Sequence, residues 1–223
     1  MNTFIEKAVT KKSLSMRKPL FGVGINDADY MVTDRSSGKI ISCPYYRAWS
    51  GMIKRCYSKE TQKRQPTYVG CSVCGEWLTF SNFKAWMKKQ DWYGKQLDKD
   101  LIKPGNKVYS PENCMFVSKC FNTLMLDSAA IRGEFPMGVS YEKESGKYIS
   151  YCFYKGKQKK LGRYDSACNA EIKYLEFKIS VVEEYSLIDE AVGNKKLGAA
   201  LLSLVSGMRD RVEDIKQEYN FQN

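Results

Sequence analysis

The chain has 223 residues, of which 36 are lysine or arginine, 25 are aspartate or glutamate and none is histidine. The lack of histidine excludes Ser-His-Asp and Cys-His nucleophile systems, histidine-ligated zinc and an imidazole general base. The net charge of +11 makes a polyanion, first of all nucleic acid, the expected partner. The charge is +10 over residues 1–131, +4 over 132–180 and −3 over 181–223. A solvated basic surface is the alternative, but an excess confined to two segments favours polyanion binding.

Residues 1–21 interrupt their apolar positions with lysines, so no secretory signal is expected. No run approaches the roughly 20 apolar residues that cross a bilayer, so no membrane partner is expected either. We therefore expect a cytoplasmic protein. In that compartment the eight cysteines are thiols or metal ligands and not disulfides.

The first half of the chain predicts an irregular segment followed by two helices. Residues 1–40 are interpreted as a basic N-terminal arm with turns. Residues 45–57 (YYRAWSGMIKRCY) place aromatic and aliphatic side chains at helical spacing and predict a helix. Residues 77–86 predict a second helix, with its N-cap at Thr79 or Ser81.

The next segment has short β character and contains glycine and proline. It covers residues 96–118, and its Pro-Gly-Asn sequence at 104–106 predicts a hairpin turn. A short helix over about 119–130 is expected to follow. Residues 41–131 together are predicted to form the first domain.

After Gly133 the hydrophobic period changes from helical to strand-like. Three strands are predicted, with turns at 144–146 and 155–157. Asp165 is predicted to cap the helix that follows them. Residues 132–180 are therefore predicted to form a second domain, a small sheet with one helix.

The acidic tail, residues 181–223, is predicted to be a long helix. Its apolar residues recur at steps of three and four: Leu197, Leu201, Leu204, Met208, Val212, Ile215 and Tyr219. Such a stripe usually packs against its own domain. A homodimer through a heptad-like seam is the alternative.

Aromatic and polar residues recur at fixed spacings over residues 45–126. They are Tyr46, Trp49, Met52, Arg55, Cys56 and Tyr57, then Val73, Cys74, Glu76, Trp77, Phe80, Phe83 and Trp86, and finally Leu97–Asp100, Gly105–Lys107, Tyr109–Cys114 and Asn122. With this pattern the segment resembles phage-encoded HNH endonucleases, which would place the protein in a phage-infected bacterial cell. The resemblance implies a ββα-metal fold. In that family a histidine activates water, a metal ion steadies the scissile phosphate, and an Asn or His on the helix completes the site.

Asp98 stands where that family has its histidine. An ordinary aspartate, with a pKa of about 3.9, is a weak general base, but it can help a divalent cation to lower the pKa of bound water. Asp98, Asp100 and Asn113 carry the oxygen ligands that Mg²⁺ or Mn²⁺ prefers, and with Asn122 they are the predicted catalytic residues. The alternative is that the two aspartates cap a turn or pair with nearby lysines. That would leave a scaffold that binds DNA without cutting it.

The cysteines offer a second metal hypothesis. Cys71 and Cys74 have CxxC spacing, and Cys114 lies about 40 residues further on. These three are the predicted ligands of a structural zinc ion, which needs no histidine. The alternative is that they are buried thiols, since free cysteine is among the most frequently buried residues.

Residues 135–178 carry a second pattern. It consists of Gly138, Val139, Tyr141, Gly146–Tyr148 and Ser150, then Lys160–Gly162, Tyr164–Ser166, Ala167, Ala170, Tyr174 and Phe177. The segment resembles the AP2 DNA-binding domain, with Tyr148 in place of the usual tryptophan. Strand period puts Tyr151 and Phe153 on the face away from the helix, and small Ser150 lets the helix approach the other face. The predicted DNA-binding residues are Tyr141, Lys147, Tyr151, Lys155, Lys157, Lys159, Lys160 and Arg163.

The sequence thus predicts an α+β fold. It consists of a ββα-metal (HNH-like) domain, an AP2-like three-stranded sheet with a helix, and a long C-terminal helix. The leading functional hypothesis is a protein that binds double-stranded DNA and nicks or cleaves it with Mg²⁺ or Mn²⁺. The alternative is a catalytically inactive scaffold that regulates by binding DNA or a host protein. RNA binding is a third possibility, supported only by charge and aromatic residues.

Overall fold

A computed structural model describes residues 4–36, 38–124 and 134–220 of the chain. The chain divides into two compact units, Met1–Asn122 and Thr123–Asn223. The predicted domain boundary, at 131/132, lies outside the described residues. The predicted α+β class is confirmed, with small sheets and a long C-terminal helix. In these ranges no helix has both the length and the apolar character that crossing a membrane requires.

Unit 1 combines short helices with two-stranded sheets. Its helices are α1 (Lys11–Ser15), α2 (Pro44–Tyr57), α3 (Lys59–Arg64), α4 (Phe80–Met87) and α5 (Lys119–Leu124), which runs to the junction with unit 2. Two 3-10 turns cover Pro66–Tyr68 and Gly75–Leu78. The strands are β1 (Thr33–Asp34), β2 (Ile41–Ser42), β3 (Ser72–Val73), β4 (Gln96–Asp98), β5 (Val108–Tyr109) and β6 (Met115–Val117). The pairs β1–β2 and β4–β6 are antiparallel, and β3–β5 is parallel.

The core of unit 1 is built on α2, as its apolar period predicts. Trp49, Met52 and Ile53 are fully buried, and the indole N–H of Trp49 donates to the backbone oxygen of Trp77 over 2.7 Å. Burying side chains of this size is the main source of stability in such a unit. The predicted helix at 45–57 is thereby confirmed.

The second predicted helix differs from the prediction at its start. Residues 75–78 form a 3-10 turn, and α4 begins only at Phe80. Thr79 is the N-cap residue but makes no side-chain capping bond. The exposed first turn is capped from a distance instead, because the amide of Ser81 donates to the Asp27 carboxylate over 2.9 Å. A carboxylate supplied by a remote loop leaves no local sequence signal.

The N-terminal arm is part of unit 1. The guanidinium of Arg17 donates to the backbone oxygens of Asn26, Ala28 and Tyr30, which fixes the loop around it. Ala28 and Tyr30 are buried in the same core as α2. The predicted irregular arm therefore contains α1 and β1, and backbone hydrogen bonds such as that from Ile25 N–H to the oxygen of Leu78, over 2.8 Å, join it to the rest of the unit.

The predicted hairpin at 104–106 is wrong, although a turn is present there. The amide of Asn106 donates to the oxygen of Lys103 over 3.0 Å. The strands on either side do not pair with each other, because β4 pairs with β6 and β5 pairs with β3. The Asn106 side chain accounts for this arrangement, since it binds the loop backbone on both sides of the turn.

Unit 2 contains the predicted antiparallel sheet of β7 (Val139–Glu142), β8 (Lys147–Tyr154) and β9 (Lys157–Tyr164), in that order. Helices α6 (Ala167–Ser186), α7 (Asp189–Gly193) and α8 (Lys195–Asn220) follow. The three strands and their two turns are confirmed. The predicted cap of α6 is off by one residue: the hydroxyl of Ser166 accepts from the amide of Asn169, and Asp165 pairs with Lys147 instead.

The apolar stripe of α8 packs within unit 2, against α6. Leu197, Leu201 and Ile215 are each at most 1% exposed. Ion pairs flank this contact, for example between Arg211 and Glu171 at 3.2 Å. The stripe therefore packs against its own domain. A homodimer through this helix stays a prediction and would have to use another of its faces.

Candidate functional site

The first candidate site lies where two strands and a helix of unit 1 meet. Strands β4 and β6 pair antiparallel, with Asp98 opposite Met115. Helix α5 follows β6 directly, and the amide of its Asn122 donates to the Gln96 side-chain oxygen on β4 over 2.6 Å. The two paired strands, β4 and β6, and helix α5 thus form a strand–strand–helix arrangement. Asp98 is the last residue of β4.

Asp98 caps the turn that follows β4. One of its oxygens accepts from the amides of Asp100, over 2.9 Å, and Leu101, over 2.7 Å. Burial raises the pKa of the Asp98 carboxyl, and these two amides and the Lys99 ammonium oppose the rise. The side chain is therefore held by its own loop, in the manner of an Asx turn.

Lys99 places a positive charge inside the same loop. It is 5% exposed, and its ammonium donates to the Asp100 carboxylate over 2.6 Å and to the oxygen of Asn106 over 2.7 Å. The Asn106 amide in turn donates to the oxygens of Lys99, over 3.0 Å, and Val108, over 2.8 Å. The loop between β4 and β5 is thus closed around an internal ammonium group.

The residues predicted to bind a divalent metal ion make other contacts, and the metal site stays a prediction. Asp98 is engaged by backbone amides and Asp100 by Lys99, while Asn113 lies half-buried in the turn before β6. Asn122 bonds to Gln96. In the described ranges no three histidine, cysteine, aspartate or glutamate side chains are placed to hold a metal ion. The contacts of Asp98 and Asp100 are those of the alternative, in which the aspartates cap a turn or pair with a lysine.

The predicted zinc ligands are thiols that lie mostly out of solvent. Cys71 and Cys114 are 5% and 2% exposed, and Cys74 is half-buried. Burial raises the pKa of Cys114 to about 12 and also raises the pKa of Cys74, so both are protonated at neutral pH. The three do not form a ligand group among the described residues. Structural zinc therefore stays a prediction, which a metal assay on protein purified without chelator tests.

The second candidate site is the sheet of unit 2, whose two faces differ. Ser150 and Cys152 are 0% and 2% exposed beneath α6. Tyr151 and Phe153 alternate with them and point to the other face, where Lys160 is the β9 partner of Tyr151. Ile149 also lies on that face but is 4% exposed. The accessible part of the face is therefore the outer end of the β8–β9 hairpin.

Ion pairs within unit 2 take up several of the predicted DNA-binding cations. Lys147 pairs with Asp165, Lys155 with Glu184 at 2.9 Å and Arg163 with Glu142 at 3.0 Å. Lys159 is on the helix side, its ammonium 4.6 Å from the centre of the Phe177 ring, and Tyr141 packs against Phe135 and Tyr148. These residues have structural contacts in addition to any contact with a ligand.

Lys157 and Lys160 differ from the other cations of the hairpin. Both are exposed, and neither forms an ion pair with any residue that the structure describes. Lys160 is opposite Tyr151 and shares its face with Phe153, which is 64% exposed, whereas Lys157 is opposite Tyr154 on the helix side of the sheet. The end of the hairpin therefore carries one unpaired ammonium group beside an exposed aromatic ring and a second one on the other face, a surface that suits a polyanion.

Two further cations have roles that residue-type reasoning did not identify. Lys99 was expected only as one of the lysines that could pair with the aspartates. Its position between Asp98 and Asp100 in the sequence does not indicate that its side chain is buried. Arg55 belongs to the HNH-like pattern but was assigned no role. Its position beside the buried stripe of α2 indicated that it would lie at the edge of the core.

Comparison of the chain with protein-family models, with curated proteins and with solved structures finds no match. The resemblances to HNH endonucleases and AP2 domains therefore rest on the residue patterns alone. What the chain does has to be argued from the contacts of its own side chains.

Proposed function

We propose that the protein binds double-stranded DNA through the outer end of its β8–β9 hairpin, and that its strand–strand–helix element is a scaffold and not a cutting site. The observation that carries the proposal is that Lys160, exposed and without an ion pair among the described residues, shares a face with exposed Phe153, while Lys157, equally exposed and unpaired there, lies at the end of the same hairpin. Ammonium groups bind backbone phosphates, and an aromatic ring contacts sugars or base edges in a groove.

The net charge supports DNA as the polyanion. The net charge of the chain is +11. Because residues 181–223 are acidic, the net charge of residues 1–180 is higher than that of the whole chain. A small antiparallel sheet presenting cations and aromatic rings on one face can enter a DNA groove. The cytoplasm of a phage-infected bacterium, where DNA is accessible, is the location that goes with this proposal.

The scaffold part of the proposal rests on the contacts of Asp98 and Asp100. A carboxylate that accepts two backbone amides and another that is paired with a buried ammonium are both engaged in holding the loop. Catalysis by a divalent ion needs carboxylates free to coordinate it. We therefore favour the non-cutting regulator over the nuclease, with binding to a host protein as a further use of the same scaffold.

The experiment is a titration of a short fluorescent DNA duplex by anisotropy at a series of salt concentrations. Each phosphate neutralised should contribute about 0.9 to the negative slope of log affinity against log salt concentration. We expect a slope of several units and tighter binding to DNA than to an RNA duplex of the same sequence. Affinity that does not depend on salt, or stronger binding to the RNA duplex, would contradict the proposal.

A further inference from the structure

Arg55 occupies an unusual position in unit 1. It lies in the last turn of α2 and is half-buried. Its Nε–H donates to the hydroxyl of Tyr109 over 3.2 Å. The guanidinium carbon lies 5.5 Å from the centre of the Tyr109 ring and 5.6 Å from the centre of the Tyr68 ring. The two tyrosines therefore hold the guanidinium by a hydrogen bond and by cation–π contacts.

No acidic side chain in the part of the chain that the structure describes neutralises this group. Within the described ranges Arg55 forms no ion pair, and its Nη1 and Nη2 nitrogens have no hydrogen-bond partner. Neither nitrogen is fully enclosed by the protein, so the Nη edge of the guanidinium reaches solvent. A charge that is partly withdrawn from water and not paired costs free energy, which an external anion would offset.

The surroundings of the two tyrosines are also basic. The ammonium of Lys107, an exposed residue, donates to the oxygen of Thr67 over 3.0 Å, next to Tyr68. Lys99 lies 5.9 Å from the centre of the Tyr109 ring, but its charge is balanced by Asp100. Among the described residues, neither Arg55 nor Lys107 forms an ion pair, and each has a contact with Tyr68 or its neighbour Thr67.

The free edge of Arg55 defines the class of ligand. Its Nε–H is used by the Tyr109 hydroxyl, and the centres of the two tyrosine rings lie 5.5 and 5.6 Å from the guanidinium carbon, so the Nη edge is the part left for a ligand. The Nη edge still presents N–H groups in the fixed planar geometry that matches two oxygens of a phosphate group. We propose that Arg55 binds a phosphodiester group of the DNA backbone, with Lys107 beside it. This inference rests on the proposed DNA binding and adds a contact in unit 1 to the hairpin of unit 2.

A structural role for Arg55 makes a different prediction. A cation in the last turn of a helix, packed between tyrosines, stabilises the fold whether or not DNA is present. Its loss would lower the thermal stability but would leave the salt dependence of DNA binding unchanged. The number of counterions released on binding therefore separates the two roles.

The test compares Arg55→Met with Arg64→Met, which removes the same charge from an exposed arginine paired with Glu60. Arg55→Lys is the second variant, because it keeps the charge if Arg55→Met folds poorly. Thermal unfolding first establishes which variants are folded, and duplex anisotropy is then measured across salt concentrations. We expect Arg55→Met to weaken binding by about tenfold and to reduce the salt slope by about 0.9. Arg55→Lys should keep the slope but lose several-fold in affinity, because the paired N–H geometry is lost.

The outcomes separate this inference from the proposed function. If the wild-type protein binds DNA with a steep salt slope but both Arg55 variants match Arg64→Met, the phosphate contact is wrong and DNA binding stands. If the wild-type protein does not bind the duplex, both proposals fail.

Discussion

The ammonium of Lys99 lies 2.6 Å from a carboxylate oxygen of Asp100, inside the loop where a divalent metal ion was predicted. Lys99 is 5% exposed, whereas the Asp100 side chain is 44% exposed. The ion pair therefore joins a buried ammonium group to a partly exposed carboxylate of the same loop.

The first prediction concerns the pH dependence of stability at Asp98. Burial raises its pKa, so the folded state holds this proton at pH values where the unfolded chain has released it. The contribution of Asp98 to the free energy of unfolding should therefore decrease as the pH rises from 3.8, the ordinary pKa of aspartate, through the raised pKa of Asp98 in the folded protein. Asp98→Asn keeps an oxygen to accept the two amides but does not titrate, so its profile should lack this decrease.

Denaturant unfolding of both proteins at a series of pH values measures this difference. Asp98→Ala serves as the control for the cap itself, and removing the acceptor should cost about 1 kcal/mol. Parallel profiles for the wild-type protein and Asp98→Asn would show that Asp98 is not buried as described.

The second prediction concerns Ser150 beneath α6. Its side chain is 0% exposed, and its hydroxyl has no hydrogen-bond partner among the described residues. Ser150→Ala removes an unsatisfied polar group without adding bulk, so the variant should be as stable as the wild-type protein or up to about 1 kcal/mol more stable. Ser150→Leu should lose about 1–3 kcal/mol, because the larger side chain meets the helix. Thermal unfolding checks both, and a clear loss for Ser150→Ala would mean that the hydroxyl is bonded after all.

The third prediction concerns thiol reactivity. Cys120 is exposed, whereas burial raises the pKa values of Cys56 and Cys114 to about 12. Because the thiolate is the reactive form, iodoacetamide at neutral pH should label Cys120 first and leave Cys56 and Cys114 unmodified. Peptide mass spectrometry gives the order, with denatured protein as the control for complete labelling. Early labelling of Cys114 would contradict its burial.

Local patterns predicted the elements better than they predicted which elements pair. Helix α2 followed from apolar spacing, and the sheet of unit 2 followed from strand period and glycine turns. The pairing of β4 with β6 could not be predicted, because it depends on Asn106 holding the intervening loop through its side chain. An asparagine after Pro-Gly equally suits a simple hairpin turn.

The candidate site shows the same limit. The sequence identified Asp98 as a residue of interest, but a carboxylate that binds metal and one that caps a turn are the same residue type. Only the contacts to the amides of Asp100 and Leu101 distinguish the two roles. Likewise, all the basic residues of unit 2 that the sequence predicts to bind DNA stay candidates, and the sequence could not show which of them also form ion pairs, as Arg163 does with Glu142.

The fourth prediction uses that distinction. Changing Lys157 and Lys160 together to alanine should weaken duplex binding and reduce the salt slope by about 2, since two phosphate contacts are lost. Changing Lys173 and Lys216 to alanine removes the same charge from exposed lysines that pair with glutamates on their own helices, and it should change the slope less. Equal effects of the two double variants in anisotropy titrations would mean that net charge, and not the hairpin, determines binding.

The most direct test of DNA binding without cutting is a supercoiled plasmid incubated with the protein and Mg²⁺ or Mn²⁺. One half of each sample is run on a gel as it is, and the other half after the protein has been removed. We predict retarded migration in the first half and intact supercoiled plasmid in the second. Nicked or linear plasmid produced by the wild-type protein but not by Asp98→Ala would contradict the account, as would a plasmid that is not retarded at all.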